Sequence, residues 1–334
     1  MQRTPPSNSK PAPPRGVIAS IAEGWSVVLA RPWLALPIIL VDLWYWLAWR
    51  IEPRALMDRL IDVSLRSNPD DAASIVDTLD QAGRSDLTVI AAFFLPTLLA
   101  GIARDDLYTI AARPILVSGS AGIDMLLGII AILLGALSFI AFATPIADAV
   151  VGRSRAGRVL AAGIIRTWAR FLSLILLLIA GLCAFAIPAG ILVAISAVAG
   201  INLMPLLSSA MILAGVIAVL YGYFAVDAML VADVGPIRGI TFSLNIVRRN
   251  FLATLGFVFT SLFITIGIPE IIDPLLGSAP GLFVSLVLHA VIATGMVAAS
   301  MVFFIDRLRH WRPEAAVTPA APVTDASRQG EHTR

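Results

Sequence analysis

Four ionisable residues lie inside long apolar runs of this 334-residue chain, namely Asp42, Asp124, Asp227 and His289. A charged side chain at membrane depth is costly unless it is paired or hydrated, so such residues mark functional sites by default. Asp227 and His289 lie deepest in their runs. We expect them to approach each other or to share one polar cavity, because a single pairing would offset much of both costs. Together with Asp42 they form the candidate intramembrane polar site.

Two of these acids have a structural interpretation as well. Asp124 lies close to the start of its run, where a carboxylate stabilises the first turn of a helix through the helix dipole. Asp42 lies near the end of its run, close to the expected outer interface. Both positions therefore also fit an acid that only stabilises the fold.

Other reactive groups are few and scattered. Lys10 is the only lysine, so the phosphate-binding motif GxxxxGK[ST] is absent, as are HExxH and any His–carboxylate pair at metal-ligand spacing. The remaining histidines, His310 and His332, lie far apart in the sequence. The lone Cys183 excludes an intramolecular disulfide and a cysteine-based metal site. We therefore predict no enzyme activity, no catalytic residue, no cofactor and no metal.

The composition indicates a polytopic membrane protein. Hydrophobic residues make up 58% of the chain and charged residues 14%, and the mean hydropathy is +0.89. A spanning helix needs about 20 mostly apolar residues. The continuous runs are rich in Leu, Ile, Ala and Gly, which favours helices over the alternating strands of a β-barrel. Runs of sufficient length occur at 33–49, 122–147, 171–198, 206–232, 251–272 and 281–305.

Arginine placement predicts the topology. The stretches 1–32, 148–170 and 233–250 are net basic, and arginines follow directly after the last run, so these parts are expected to be cytoplasmic. The segment 50–121 holds more acids than bases and is expected outside. This arrangement allows six crossings with both termini cytoplasmic.

A seventh apolar run, 87–103, is only marginally long enough to cross. Six crossings make it a re-entrant or interfacial helix, bent at Pro96. The alternative of seven spans would place either the N-terminus or the five-arginine loop outside. Short amphipathic pieces are predicted at 55–66 and 71–80 within the same external segment.

Three amphipathic, arginine-bearing segments run directly into apolar spans, at 17–31, 155–170 and 236–250. At 100° per residue, the arginines of 155–170 share one sector opposite Ile164 and Trp168, as in a helix that lies in the headgroup zone. We predict an all-α integral membrane protein, a six-helix transmembrane bundle of three hairpins, each preceded by an interfacial amphipathic elbow helix. The candidate contacts to anionic lipid headgroups are Arg155, Arg158, Arg166, Arg170, Arg248 and Arg249. Simple positive-inside anchoring is the alternative role for these arginines.

The domain organisation follows from the same patterns. The polar, Pro-rich tails 1–16 and 313–334 are predicted to be disordered. Residues 17–312 form the membrane domain, with 50–121 as an extracytoplasmic insertion. Inside the membrane domain, the small-xxx-small motif of Gly295 and Ala299 predicts a close approach between helices.

A longer pattern resembles a known family. In the stretch YFAVDAMLVADVGPIRGITFSLNIVRRNFLATLGFVF, Asp233 ends a span and is followed by a Gly, Ser243, a basic pair and an aromatic residue. A weaker echo is VVGRSRAGRVLAAGIIRTWARFLSLILLL. Over roughly residues 120–305 this resembles the membrane domain attached to some bacterial glycerophosphodiester phosphodiesterases, and the related stand-alone six-span proteins. No soluble phosphodiesterase domain follows residue 305 in this sequence, so hydrolysis is not expected.

Two functional hypotheses follow. The first is a non-enzymatic protein of the bacterial cytoplasmic membrane that organises lipids or partner proteins. The alternative is a small-solute or lipid transporter that uses Asp227 and His289 together with helices kinked at Pro188 and Pro269. Expected partners are membrane lipids, including anionic headgroups, and a second copy or another membrane protein, but no nucleic acid. A hydrated cavity that reaches both Asp227 and His289 would favour transport.

Overall fold

A computed structural model describes residues 13–47, 49–67, 72–92, 94–99, 114–199 and 203–311. Most of the predicted N-terminal tail and all of the predicted C-terminal tail lie outside these residues, as does the second part of the predicted re-entrant segment 87–103.

The chain folds as an all-α membrane protein, as the hydropathy predicts. Among the described residues, five helical segments are long and apolar enough to cross a bilayer. One of these segments consists of α8 (Met204–Gly222) and the short α9 (Ala225–Val231), which continues it after a break at Tyr223 and Phe224. The long helices and α9 are α6 (Ala121–Val151), α7 (Gly157–Val198), α8 (Met204–Gly222), α9 (Ala225–Val231), α11 (Phe251–Ile272) and α12 (Ala279–Trp311).

The N-terminal helices form a sharply bent pair. Helix α1 (Val17–Ala30) and the segment Pro32–Leu47, a short 3₁₀ turn followed by α2 (Leu36–Leu47), meet at 100°. Pro32 lacks an N–H and Arg31 has a non-helical backbone, so the helix cannot continue through this point. The predicted first span, 33–49, therefore corresponds to a short helix. Within the described part of the chain, the number of crossings is five, or six if the bent pair counts as one span.

Two of the three predicted elbow helices are separate helices. Helix α1 ends at the bend, and α10 (Pro236–Arg249) is separated from α11 by Asn250, whose N–H bonds back to Ile246 and Val247. The prediction of a separate elbow at 155–170 is wrong, because Gly157–Val198 is one continuous helix of 42 residues. No proline or turn interrupts the chain where the elbow would meet the span. At 1.5 Å per residue this helix is about 63 Å long, roughly twice the hydrocarbon thickness.

Helix α1 packs lengthwise and antiparallel against the second half of α12. The backbone N–H of Arg15 bonds to Asp306, and further along the pair Gly24 lies against Ala299 and Trp25 against Gly295. A Cβ at Gly24 would overlap the backbone of Ala299. The predicted close approach at the Gly295 and Ala299 motif is thus confirmed, and α1 is the helix that approaches.

The segment between α2 and α6 is a small folded insertion. The predicted amphipathic pieces are confirmed as α3 (Arg54–Ser67) and α4 (Ala72–Gly83), which pack on each other. A short helix, α5 (Thr88–Ala92), then packs against α6, where Gly135 leaves room for the backbone of Ala91. The sequence did not predict the parallel pair of strands that closes the insertion, β1 (Arg50–Glu52) and β2 (Ile115–Val117).

Two carboxylates stabilise this insertion: Asp124 links it to α6, and Asp86 joins two of its own segments. Asp124 is fully buried in the first turn of α6, as predicted, and accepts hydrogen bonds from the Leu56 N–H at 3.0 Å and from the Ser118 hydroxyl. Asp86 accepts the N–H of Ile51 at 3.2 Å and caps α5 through the N–H of Thr88 at 2.9 Å. Asp124 therefore has the structural role.

Candidate functional site

Asp42 is fully buried and serves as an acceptor for an irregular backbone segment. Its carboxylate oxygens accept the N–H groups of Leu98 at 3.2 Å and Leu99 at 3.1 Å. Both donors belong to residues 94–99, which follow α5 and form no regular helix. Non-helical backbone at membrane depth is tolerated only where protein groups satisfy its hydrogen bonds. Asp42 supplies two of those bonds.

His289 contacts the same segment through a different backbone group. Its Nε2 lies 3.1 Å from the carbonyl oxygen of Pro96, so the ring donates through this nitrogen. The other ring nitrogen, Nδ1, is buried and has no hydrogen-bond partner among the described residues. Asp42 and His289 thus fix residues 94–99 between α2 and α12.

Asp227 lies elsewhere in the bundle. It is nearly buried in the first turn of α9 and accepts the hydroxyl of Ser300 at 2.5 Å. Ser300 is eleven residues beyond His289 on α12, which corresponds to about 16 Å along the helix axis. The predicted pairing of Asp227 with His289 is therefore wrong. Each side chain meets a nearer partner that the sequence spacing did not reveal.

The described clefts do not join these groups either. An apolar cleft of about 370 Å³ lies between α2, α5 and α6, and a second cleft of about 320 Å³ lies at the end of α6. Neither cleft is lined by Asp227 or His289. Of the three predicted polar-site residues, the structure brings together Asp42 and His289, through the segment they both bind.

Ser243 has a specific role that sequence reasoning assigned only as part of a motif. Its fully buried hydroxyl donates to the Tyr221 carbonyl at 2.6 Å and accepts the Phe224 N–H at 3.1 Å. These two backbone groups flank the break between α8 and α9, where helical hydrogen bonds are interrupted. Phe224 next to the break stacks on Phe303 with ring centroids 5.3 Å apart. A side chain of α10 thereby supplies hydrogen-bond partners for backbone groups at the break in a membrane helix.

Replacing Ser243 by alanine is expected to lower the stability of the folded protein by about 1–3 kcal/mol, because the buried Phe224 N–H loses its acceptor. Thermal unfolding of the purified protein in detergent measures this change. Ser173→Ala is the matched control, since the Ser173 hydroxyl is on an exposed residue and bonds only to its own helix at Ala169. An equal effect of both substitutions would show that Ser243 does not support the break.

The cleft at the end of α6, named here the arginine cleft, is lined by three arginines and one carboxylate. The residues that line it include Arg31, Trp33, Asp148, Arg153, Arg155 and Leu160. Asp148 is buried in the last turn of α6 and is held by Arg155 in a two-bond pair, at 2.8 Å and 2.5 Å. Arg153 lies 3.2 Å from the same carboxylate and also donates to the Leu230 carbonyl at 2.8 Å.

Electrostatics at this cleft follow from burial and from charge number. Burial lowers the pKa of Arg153 below its ordinary value, and the neighbouring carboxylate of Asp148 opposes that shift. The lining contains three guanidinium groups and one carboxylate, so the cleft keeps a net positive charge. Arg31 is exposed and forms no ion pair with any described residue. This arrangement suits an anion.

The six arginines predicted to contact headgroups fall into two sets. Arg155 pairs with Asp148, Arg170 pairs with Asp233, and the guanidinium of Arg249 lies 4.9 Å from the centre of the Trp311 ring. The other three are exposed and form no ion pair with the described part of the chain, namely Arg158, Arg166 and Arg248. Sequence reasoning missed Arg31 and Arg153 as members of a cleft. Their sequence separation of more than one hundred residues gave no signal for it.

No protein-family model, no curated protein and no solved structure matches this chain. The resemblance to the membrane domain of the phosphodiesterases therefore stays a prediction. Within the described ranges, no three His, Cys, Asp or Glu side chains lie close enough together to hold a metal ion.

Proposed function

We propose that this polytopic membrane protein acts without catalysis in the bacterial cytoplasmic membrane, where it gathers anionic lipids around the end of the bundle that carries the arginine cleft. The observation that carries the proposal is the cleft itself, which is lined by Arg31, Arg153 and Arg155 together with one carboxylate, that of Asp148. Two exposed arginines of α7, Arg158 and Arg166, extend the positive charge beyond the cleft.

Membrane electrostatics give this arrangement its energetic weight. Each Lys or Arg near an anionic bilayer surface contributes about 1 kcal/mol of attraction, and salt screens it. Arginine binds phosphate through a planar fork of donors, which an ammonium group cannot reproduce. The chain uses arginine almost exclusively as its base, with a single lysine in 334 residues. Its composition thus favours phosphate contact over generic anchoring.

The transport hypothesis loses its main support. It required Asp227 and His289 to meet or to share a cavity, whereas Asp227 bonds to Ser300 and His289 to the Pro96 carbonyl. Asp42 likewise binds backbone N–H groups. Since Asp42, Asp227 and His289 each have a partner within the fold, we propose that these residues serve stability rather than movement of a solute.

A lipid-selectivity measurement tests the proposal. The protein is reconstituted in bilayers of phosphatidylcholine and phosphatidylglycerol, and association with spin-labelled forms of each lipid is compared. We expect a preference for phosphatidylglycerol that falls at high salt. The double variant Arg158→Gln, Arg166→Gln is expected to reduce the preference by roughly five-fold per arginine, as about 1 kcal/mol for each charge implies.

The control removes two equivalent charges from another part of the molecule. Arg59 and Arg66 are exposed on α3 of the insertion, so the variant Arg59→Gln, Arg66→Gln is expected to keep the wild-type lipid preference. If the unmodified protein associates equally with both lipids at low salt, the proposal is wrong. If the α3 control matches the α7 variant, the attraction is a property of net charge alone.

A further inference from the structure

The arginine cleft is lined by two parts of the chain that are distant in sequence. Arg31 and Trp33 come from the bend between α1 and α2, Asp148 from the last turn of α6, and Arg153 and Arg155 from the connection to α7. The chain turns sharply after α6, because Gly152 caps that helix with a positive φ of 77°. This turn brings the two arginines of the connection back over the end of α6.

Two of the guanidinium groups are held in place before any ligand binds. Arg155 is fixed by its two bonds to Asp148, and Arg153 by the Leu230 carbonyl together with the same carboxylate. Their side chains are about one-fifth exposed, at 21% for Arg153 and 23% for Arg155. A ligand that meets them therefore costs little additional side-chain entropy. Asp148 is the internal counter-ion that makes two close guanidinium groups tolerable.

Arg31 differs from these two groups. It is exposed, ends α1 as its C-cap residue, and has no ionic partner among the residues that the structure describes. Its charge is therefore available to a ligand in the cleft. An oxyanion with several acceptor oxygens could bond to Arg31 on one side and face the fixed pair on the other, which is the geometry of arginine sites for phosphate.

The rest of the lining favours a lipid over a small free anion. Trp33 is 54% exposed, and Leu160 and Pro145 are half-buried members of the same lining, so the cleft combines cationic side chains with apolar ones. Tryptophan is enriched at the membrane interface, where one side of its ring meets apolar chains. The volume of about 320 Å³ is at the small end of the range for ligand pockets, and suits a headgroup rather than a whole lipid.

We propose that the arginine cleft is a binding site for the phosphodiester headgroup of an anionic phospholipid. Arg31 is its main contact, Arg153 and Arg155 form the fixed wall, and the acyl chains leave over Trp33 and Leu160. This site rests on the proposed function and deepens it, since it assigns one anionic phospholipid per chain to a defined position in addition to the general attraction of anionic lipids.

Binding of short-chain dioctanoyl-phosphatidylglycerol to the full protein in neutral detergent, followed by native mass spectrometry and titration calorimetry, tests the site. We expect one saturable molecule per chain. Arg31→Gln is expected to weaken it at least about ten-fold, as loss of one charge-assisted contact implies. Arg31→Lys is expected to fall between, because it keeps the charge and loses the fork. Circular dichroism checks that each variant is folded.

The control is Arg238→Gln, which removes one exposed charge outside the cleft and is expected to change binding less than about two-fold. Equal weakening by Arg31→Gln and Arg238→Gln would overturn the site and leave the general preference for phosphatidylglycerol standing. Absence of that preference in bilayers would instead overturn the proposed function, whatever the short-chain lipid does.

Three further titrations identify the source of the phosphate. Inorganic phosphate and glycerol phosphate are added as competitors, and dioctanoyl-phosphatidylcholine replaces the anionic lipid. We expect weak competition by both soluble phosphates and weak binding of the zwitterionic lipid. If inorganic phosphate alone binds as tightly as the anionic lipid, the ligand is a free phosphate and the lipid assignment is wrong.

Discussion

Replacing Gly24 by alanine is expected to separate α1 from α12 and to destabilise the protein by about 1–3 kcal/mol or more, the usual cost of forcing extra atoms into a packed interface. The added Cβ would overlap the backbone N and Cα of Ala299, and backbone atoms cannot rotate away as a flexible side chain can. Alanine has the better helix propensity, by about 0.5–1 kcal/mol, but this gain is smaller than the cost of the overlap.

Gly181→Ala supplies the matched control for this measurement. Gly181 lies in α7, and a Cβ there would meet nothing within 4 Å. Thermal unfolding in detergent is expected to show a lower midpoint for Gly24→Ala and an unchanged or higher midpoint for Gly181→Ala. Equal midpoints for the two variants would contradict the close approach of α1 and α12.

Replacing Asp42 by alanine is expected to release residues 94–99 from the helices and to cost about 2–6 kcal/mol. The estimate follows from two buried N–H groups, at Leu98 and Leu99, each left without an acceptor at about 1–3 kcal/mol. Asp42→Asn retains one carbonyl oxygen and is expected to lose roughly half as much. The measurement combines thermal unfolding with hydrogen exchange at the two amides.

Asp58→Ala is the control for the acid itself, because Asp58 is exposed on α3 and its loss orphans no described donor. Fast exchange at Leu98 and Leu99 in Asp42→Ala, with slow exchange in the control, is the expected pattern. If the Asp42 variants keep both amides protected and the unfolding midpoint unchanged, Asp42 does not hold this segment.

Asp42 and His289 both bind the same irregular segment, which gives these buried ionisable side chains a structural role. The irregular residues 94–99 leave backbone donors and acceptors inside an apolar bundle, and the two side chains satisfy three of them. A polar group at membrane depth is thus required by the shape of the backbone. Ser243 has a similar role, because its hydroxyl forms hydrogen bonds with backbone groups at the break between α8 and α9.

Local chemistry in the sequence predicted much of the fold. The apolar runs gave the membrane helices, and the amphipathic pieces of the insertion gave α3 and α4. These features depend on neighbours a few residues away, so composition and periodicity report them directly. The prediction of a separate elbow helix at 155–170 was wrong for the same reason. Segregated faces predict a helix, but they do not say whether it stops where the apolar run begins.

Partners across the bundle could not be predicted from spacing. Asp227 and His289 were expected to pair because each carries a cost and both lie deep, yet the nearest acceptors and donors came from Ser300 and Pro96. Many polar or backbone groups can offset a buried charge equally well. Which of them is near depends on helix register and on the course of residues 94–99, and neither leaves a periodic trace in the sequence.

The sequence by itself determined that the chain is a helical membrane protein with arginines concentrated in a few connecting stretches, because partitioning between lipid and water acts on each residue locally. Only the tertiary structure decided that Arg31 lines one cleft with Asp148, Arg153 and Arg155, and that Gly24 faces Ala299. Those arrangements arise where the bent N-terminal helices dock on α12 and on the end of α6. Docking is governed by contacts between residues more than one hundred positions apart, whose complementarity exists only in three dimensions.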